Sequence, residues 1–145
     1  MSNASGTLRL TLSPRLSELT RVRNELDRYL RNASLPDPVR NTLLVVAEEI
    51  LINIIHYGCC DEVSDPVEVK VDQESAVVHM EFIDPGKPFN PLEAAARTTA
   101  GQLVENKEPG GIGVHLVRGL TNHQEYNRKA DRNHFRITKH IFSPE

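Results

Sequence analysis

At 145 residues the chain is long enough to bury one sizeable core. With 39% hydrophobic and 26% charged residues it has the make-up of an ordinary soluble globular protein. A net charge of −3 without a long basic run argues against nucleic acid as a direct partner, and there is neither an apolar run of membrane-spanning length nor a signal-peptide pattern.

A cytoplasmic protein with no membrane role is therefore expected. The neighbouring cysteines, Cys59 and Cys60, would make a poor staple, which also fits a reducing compartment. His56 stands near them, but the three residues lack a fourth ligand, so no zinc site is expected. Residues 1–6 read as a disordered start or an expression remnant, and one folded domain is expected over 7–142.

In chain order, Thr7 to Leu12 alternates polar and apolar residues, a strand with one buried face. Ser13-Pro14 predicts a cap followed by proline at the first helical position. Leu16, Leu19, Val22, Leu26 and Leu30 then recur with helical period. Asn32 to Pro36 forms a turn, and Asp37-Pro38 starts a central helix that stops near Tyr57-Gly58. That helix is apolar on nearly every side. At about 100° per residue, Thr42, Glu49, Asn53 and His56 fall within a wedge of roughly 60°.

Two strands follow, Val67 to Val71 and Val77 to Ile83, joined by a turn over 72–75. Asp84 to Pro91 is a rigid bend. Residues 92–109 are weakly patterned, with a short helix around Glu93 to Arg97. Gly110-Gly111-Ile112-Gly113 opens a helix, and a hairpin closes the chain, strands 124–128 and 134–141 around a loop at 129–133. The order β-α-α-β-β-loop-α-β-β suggests an α+β sandwich with helices on one face of a mixed sheet.

Three segments bear on chemistry. Glu49 and Asn53, four apart on a helix, project side by side. Glu49 can take a proton, and the Asn53 carbonyl oxygen suits Mg²⁺. Taken alone, the pair also reads as a solvent-facing strip. Asp84-Pro85-Gly86 follows an apolar strand, where Asp84 could accept from an exocyclic amine such as that of adenine. Gly86 would let backbone approach a flat ring, and the plainer reading is a turn. Gly110, Gly111 and Gly113 precede a helix, where free N–H groups and the helix dipole favour an anion; the plainer reading is a hinge. Together they supply what a Mg-nucleotide needs.

In that order and spacing the chain resembles the histidine-kinase-like ATPase superfamily with the Bergerat ATP-binding fold, and within it the bacterial anti-sigma factor serine/threonine kinases. Glu48 to Asn53 is similar to the family's N box. Asp84 to Pro91 and Gly110 to Val117 are similar to its two glycine boxes, and Thr138 stands in the place of its late adenine-side threonine. The resemblance implies a two-layer sandwich with a mostly antiparallel sheet and a flexible ATP lid over about 92–109. It implies Glu49 as general base, Asn53 as Mg²⁺ ligand, and Asp84 and Gly86 at adenine. Gly110, Gly111 and Gly113 would lie at phosphate, and His56 would be a phosphate-facing basic residue; Arg97 and Lys107 are further phosphate candidates by charge and location alone. It implies phosphorylation of an anti-anti-sigma factor, with a sigma factor as the alternative partner, and a homodimer. A nucleotide-responsive binding module without catalysis and a detached histidine-phosphorylating module remain the rival readings.

Overall fold

The computed structural model describes residues 6–58, 65–96 and 111–142. Among them, strand β1 (Leu8–Leu12) is followed by a 3₁₀ turn (Leu16–Glu18), α1 (Leu19–Asn32) and α2 (Asp37–Asn53). A π-helical turn (Ile54–Gly58) continues α2, and β2 (Val67–Glu74) and β3 (Val77–Asp84) come next. The chain goes on through α3 (Pro91–Ala96), α4 (Gly111–Leu120), β4 (His123–Lys129) and β5 (Arg132–His140).

The five strands form one sheet in the order β1-β2-β3-β5-β4, antiparallel at each pairing. Alternation sorts the side chains by face. Leu10, Leu12, Val69, Met80, Phe82, Phe135 and Ile137 are buried on the face that the helices cover. On α1, Val22, Leu26 and Leu30 recur every four residues and are all buried, so this helix lays one stripe on the core. On α2 the buried set is broader, Leu43, Leu44, Val46, Ala47, Ile50 and Leu51, because this helix is packed by α1 and by α4.

The start of the first long helix differs from the expected cap. Ser13 does not cap it; the 3₁₀ turn comes first, and the Glu18 carboxylate instead accepts from the Ser13 N–H at 3.2 Å. The hairpins are tighter than expected. The first turns at Ser75-Ala76 and the second at Ala130-Asp131, so β5 begins at Arg132 rather than at 134. Ala130 and Asp131 both have positive φ (52° and 62°), the arrangement that matches a two-residue turn to strand twist. Two extra residues on β5 bring Asn133 into register with Asp84.

Candidate functional site

A pocket of about 490 Å³ lies between the sheet and the helices. That space includes the solvent at its open mouth. α2 supplies Ile50 and Asn53, and Ile54 follows from the π turn. α4 supplies Val117, and Phe89 and Pro91 come from the bend after β3. The sheet supplies Asp84, Tyr126, Asn133 and Phe135. The lining is mostly apolar with a few polar groups, Asp84 and Asn53 among them, which is how a flat, partly polar ligand is held and oriented.

Asp84 ends β3, with only 5% of its surface exposed. Its Oδ1 accepts from the Gly86 N–H at 2.8 Å and from Asn133 Nδ2 at 3.1 Å. Burial pushes the Asp84 carboxyl above the usual carboxylate range, and the donors from Asn133 and Gly86, with the charge of Arg128, oppose that push in part. Asn133 is likewise buried. Its Nδ2 also donates to the Lys87 carbonyl at 2.8 Å, and its Oδ1 accepts from Tyr126, from the Phe89 N–H and from Arg128. Arg128 donates to the Gly86 carbonyl at 2.7 Å, tying β4 to the bend.

The expected site residues are not all brought together. Asn53 and Asp84 line the same pocket, and Gly86 lies in the bend that Asp84 and Arg128 hold. Glu49, one turn before Asn53, is half-buried and engages in no hydrogen bond or ion pair with the described residues. Glu48 points elsewhere, into a groove shared with Leu19 and Val22 of α1, so the helix itself separates the two glutamates. Thr42 is half-buried and outside the pocket.

His56 is exposed and does not line the pocket. The wedge placed it beside Asn53 on α-helical angles, but the chain winds as a π-helix from Ile54, with i→i+5 bonds, and each residue turns through a smaller angle. Thr138 is also not brought to the pocket. Phe135 and Ile137 are buried on the helix-covered face, so Thr138 takes the opposite face, where its Oγ1 lies 3.0 Å from His79 Nδ1. The pocket-side position near the start of β5 belongs to Asn133. Gly111 and Gly113 lie in the first turn of α4, which runs to Val117 in the pocket wall. Gly110, Arg97, Lys107, Cys59 and Cys60 lie outside the described residues, as do 97–109 of the expected lid; 92–96 belong to α3.

Asn133, Tyr126 and Arg128 were missed from the sequence. Extending the alternation of Phe135 and Ile137 back by one step puts Asn133 on the core face, a buried polar residue that should have asked for partners. Among the described residues, no group of three or more His, Cys, Asp or Glu is placed to hold a metal ion. Asn53, on the pocket wall, offers a carbonyl oxygen that could serve a divalent cation. Mg²⁺ suits such a site, since it keeps few protein ligands.

Residues 12–139 match the family described as "Histidine kinase-like ATPase domain". A curated relative, the serine/threonine-protein kinase BtrW of Bordetella bronchiseptica, is 28% identical over 102 residues, 70% of this chain and 71% of that protein. Among solved structures, the RsbU and RsbW domains of Rv1364c from Mycobacterium tuberculosis superpose with a TM-score of 0.70 at 16% identity. The match covers 96% of this chain and spans about a third of that one, 33%. It supports the α+β fold. No described helix is long and apolar enough to cross a membrane.

Proposed function

The chain belongs to the histidine kinase-like ATPase family, and from that membership we propose that it is an anti-sigma-type serine/threonine kinase that binds Mg-ATP and phosphorylates a partner protein. The observation that carries the nucleotide part is the pairing of Asp84, with one carboxylate oxygen unbonded among the described residues, and Asn53 on the walls of one mostly apolar pocket. Ile50, Ile54, Val117 and Phe135 would pack the adenine ring, and the Asp84 carboxylate would accept from its exocyclic amine. Gly86 would give the ring room. Asn53 would hold Mg²⁺, which when bound neutralises phosphate charge. The N–H groups of Gly111 and Gly113, in the first turn of α4, would hold phosphate oxygens, and Gly110 belongs to the same proposal from its place in the sequence.

Glu49 is the proposed general base. It would take the proton of a partner's serine hydroxyl as that oxygen bonds to the γ-phosphorus and the bond to ADP breaks. Positioning and charge stabilisation supply most of the acceleration in such transfers. From the resemblance to anti-sigma factor kinases, the proposed substrate is an anti-anti-sigma factor, with a sigma factor as the alternative partner; that the relative BtrW is named a serine/threonine-protein kinase supports the protein-kinase part. A single kinase domain over 7–142, a cytoplasmic location and a homodimer belong to the same proposal.

One observation favours a second reading, a nucleotide-responsive binding protein without catalysis: Glu49 lies outside the pocket lining. Incubation with γ-labelled ATP and the candidate partner separates the two. The kinase reading predicts acid-stable label on the partner with the wild type and none with Glu49→Ala, which still binds nucleotide. Labelling by Glu49→Ala at the wild-type rate overturns the assignment of the base, and nucleotide binding without label supports the second reading.

A further inference from the structure

Asn133 is 3% exposed, and each polar atom of its side chain is engaged. Both Nδ2 protons are used, one on Asp84 Oδ1 at 3.1 Å and one on the Lys87 carbonyl at 2.8 Å. Three donors converge on Oδ1: the Tyr126 hydroxyl, the Phe89 N–H at 3.3 Å and the Arg128 guanidinium at 3.2 Å. Reversing the amide would set its nitrogen against three donors and its oxygen against two acceptors, so its orientation is fixed by its surroundings. No capacity is left for a ligand.

Asp84 is the complement. Its Oδ1 takes both of its protein donors, and its Oδ2 makes no hydrogen bond to the described residues. Asp84 lines the pocket, so Oδ2 is the oxygen left to accept from a bound molecule.

On the nucleotide reading above, we propose that Asn133 is a positioning residue that divides the two oxygens of Asp84, committing Oδ1 to the fold and presenting Oδ2 to the amine of the base. The register pair Asp84–Asn133 sets the distance between the side chains. Tyr126 and Arg128 hold Asn133 from β4, and Phe89 holds it from the bend. Without the Asn133 amide, the Gly86 N–H alone would hold Oδ1, and the Asp84 carboxylate would be less restrained about its terminal bond.

The test is nucleotide affinity in two variants, each beside the wild type. Asn133→Asp keeps the shape of the side chain but turns a donor into a second carboxylate. Two carboxylates sharing a site hold a proton that neither would hold alone. At mildly alkaline pH, ATP binding should be about 10- to 100-fold weaker than wild type, the loss expected for one charge-assisted contact. As the pH falls, a proton shared between the pair rebuilds the donor to Oδ1, so the ratio of variant to wild-type affinity should rise. Taking the ratio cancels protonation of ATP itself. A ratio that is constant with pH overturns the proposal.

The second variant, Asn133→Ala, is read by the preference for ATP over ITP, whose base carries an oxo group in place of the amine. The positioning role predicts that this preference collapses toward one. Equal weakening of both nucleotides, with the wild-type preference kept, overturns the proposal and marks Asn133 as structural only. If the wild type itself binds neither nucleotide, the nucleotide reading fails. If it prefers ATP and both variants keep its preference and its pH profile, only the role of Asn133 fails.

Discussion

Replacing Asp84 with asparagine separates what this residue does for binding from what it does for stability. In the native protein Oδ1 is held by Gly86 and Asn133, and the other oxygen is left for a ligand. An amide cannot reproduce this. If its oxygen stays on Gly86 and Asn133, its NH₂ group meets the amine of the base, donor against donor. If it flips, the same conflict arises with Asn133 and Gly86. The loss is one charge-assisted hydrogen bond, about 1.5–3 kcal/mol, and a further 1–3 kcal/mol for the unpaired donor. Their combination, about 2.5–6 kcal/mol, amounts to roughly 60- to 20,000-fold in Kd for ATP.

Stability without ligand should move the other way. Burial raises the Asp84 carboxyl pKa in the folded chain, so between the unfolded and folded values the native state binds more protons than the unfolded one. Stability from this group is therefore present at acid pH and lost as the pH rises through the folded value. Asp84→Asn carries no such charge. At neutral pH the ligand-free variant should melt at or above the wild-type temperature, with that advantage shrinking as the pH is lowered through the folded value. Isothermal titration with Mg-ATP and a melting series over pH measure both halves. ATP affinity within threefold of wild type would refute the placement of the base at Asp84, and an advantage that grows on acidification would refute the account of its burial.

Other substitutions test separate parts. Glu49→Gln should lower the phosphotransfer rate by about 10²- to 10⁴-fold, the usual range for losing a general base, with ATP affinity kept; single-turnover labelling of the partner reads it. Asn53→Ala should remove most of the Mg²⁺ dependence of ATP binding while affinity for adenosine stays near wild type, as titrations with and without the metal would show. Phe82→Ala in the centre of the sheet should destabilise by about 3–5 kcal/mol in urea melts, because a fully buried aromatic leaves a cavity that the neighbouring strands cannot close. Ala130→Gly should stabilise by roughly 0.5–1 kcal/mol by relieving a positive φ at the second hairpin, read in the same melts.

The elements were legible where the pattern was strong. The alternation of β2 and the four-residue recurrence of α1 reflect burial on one face, and burial is what a single sequence displays. Asp84 stood out only in combination, since Asp-Pro-Gly alone reads as a turn, and Asn53 because it breaks an apolar helix; the fold puts both on the wall of one pocket. His56 was placed by α-helical geometry, and no local feature announces the π turn over Ile54–Gly58. Thr138 was assigned by position along the last strand, whereas the face depends on register. Because the final hairpin was given a five-residue loop, Asn133 was taken as loop. The true turn uses Ala130 and Asp131 at positive φ, a conformation that glycine or asparagine would have signalled and alanine does not.

The most direct test of Mg-ATP binding at the Asp84 pocket is the shift in melting temperature that ATP produces with and without Mg²⁺. At about 100 times the dissociation constant, a ligand that binds only the folded state adds about 2.7 kcal/mol. For a domain of this size that is roughly 5–10 °C. The account predicts a shift of that order with Mg²⁺, a smaller one without it, and almost none in Asp84→Asn. No shift with millimolar Mg-ATP, or the same shift in Asp84→Asn as in the wild type, would contradict it.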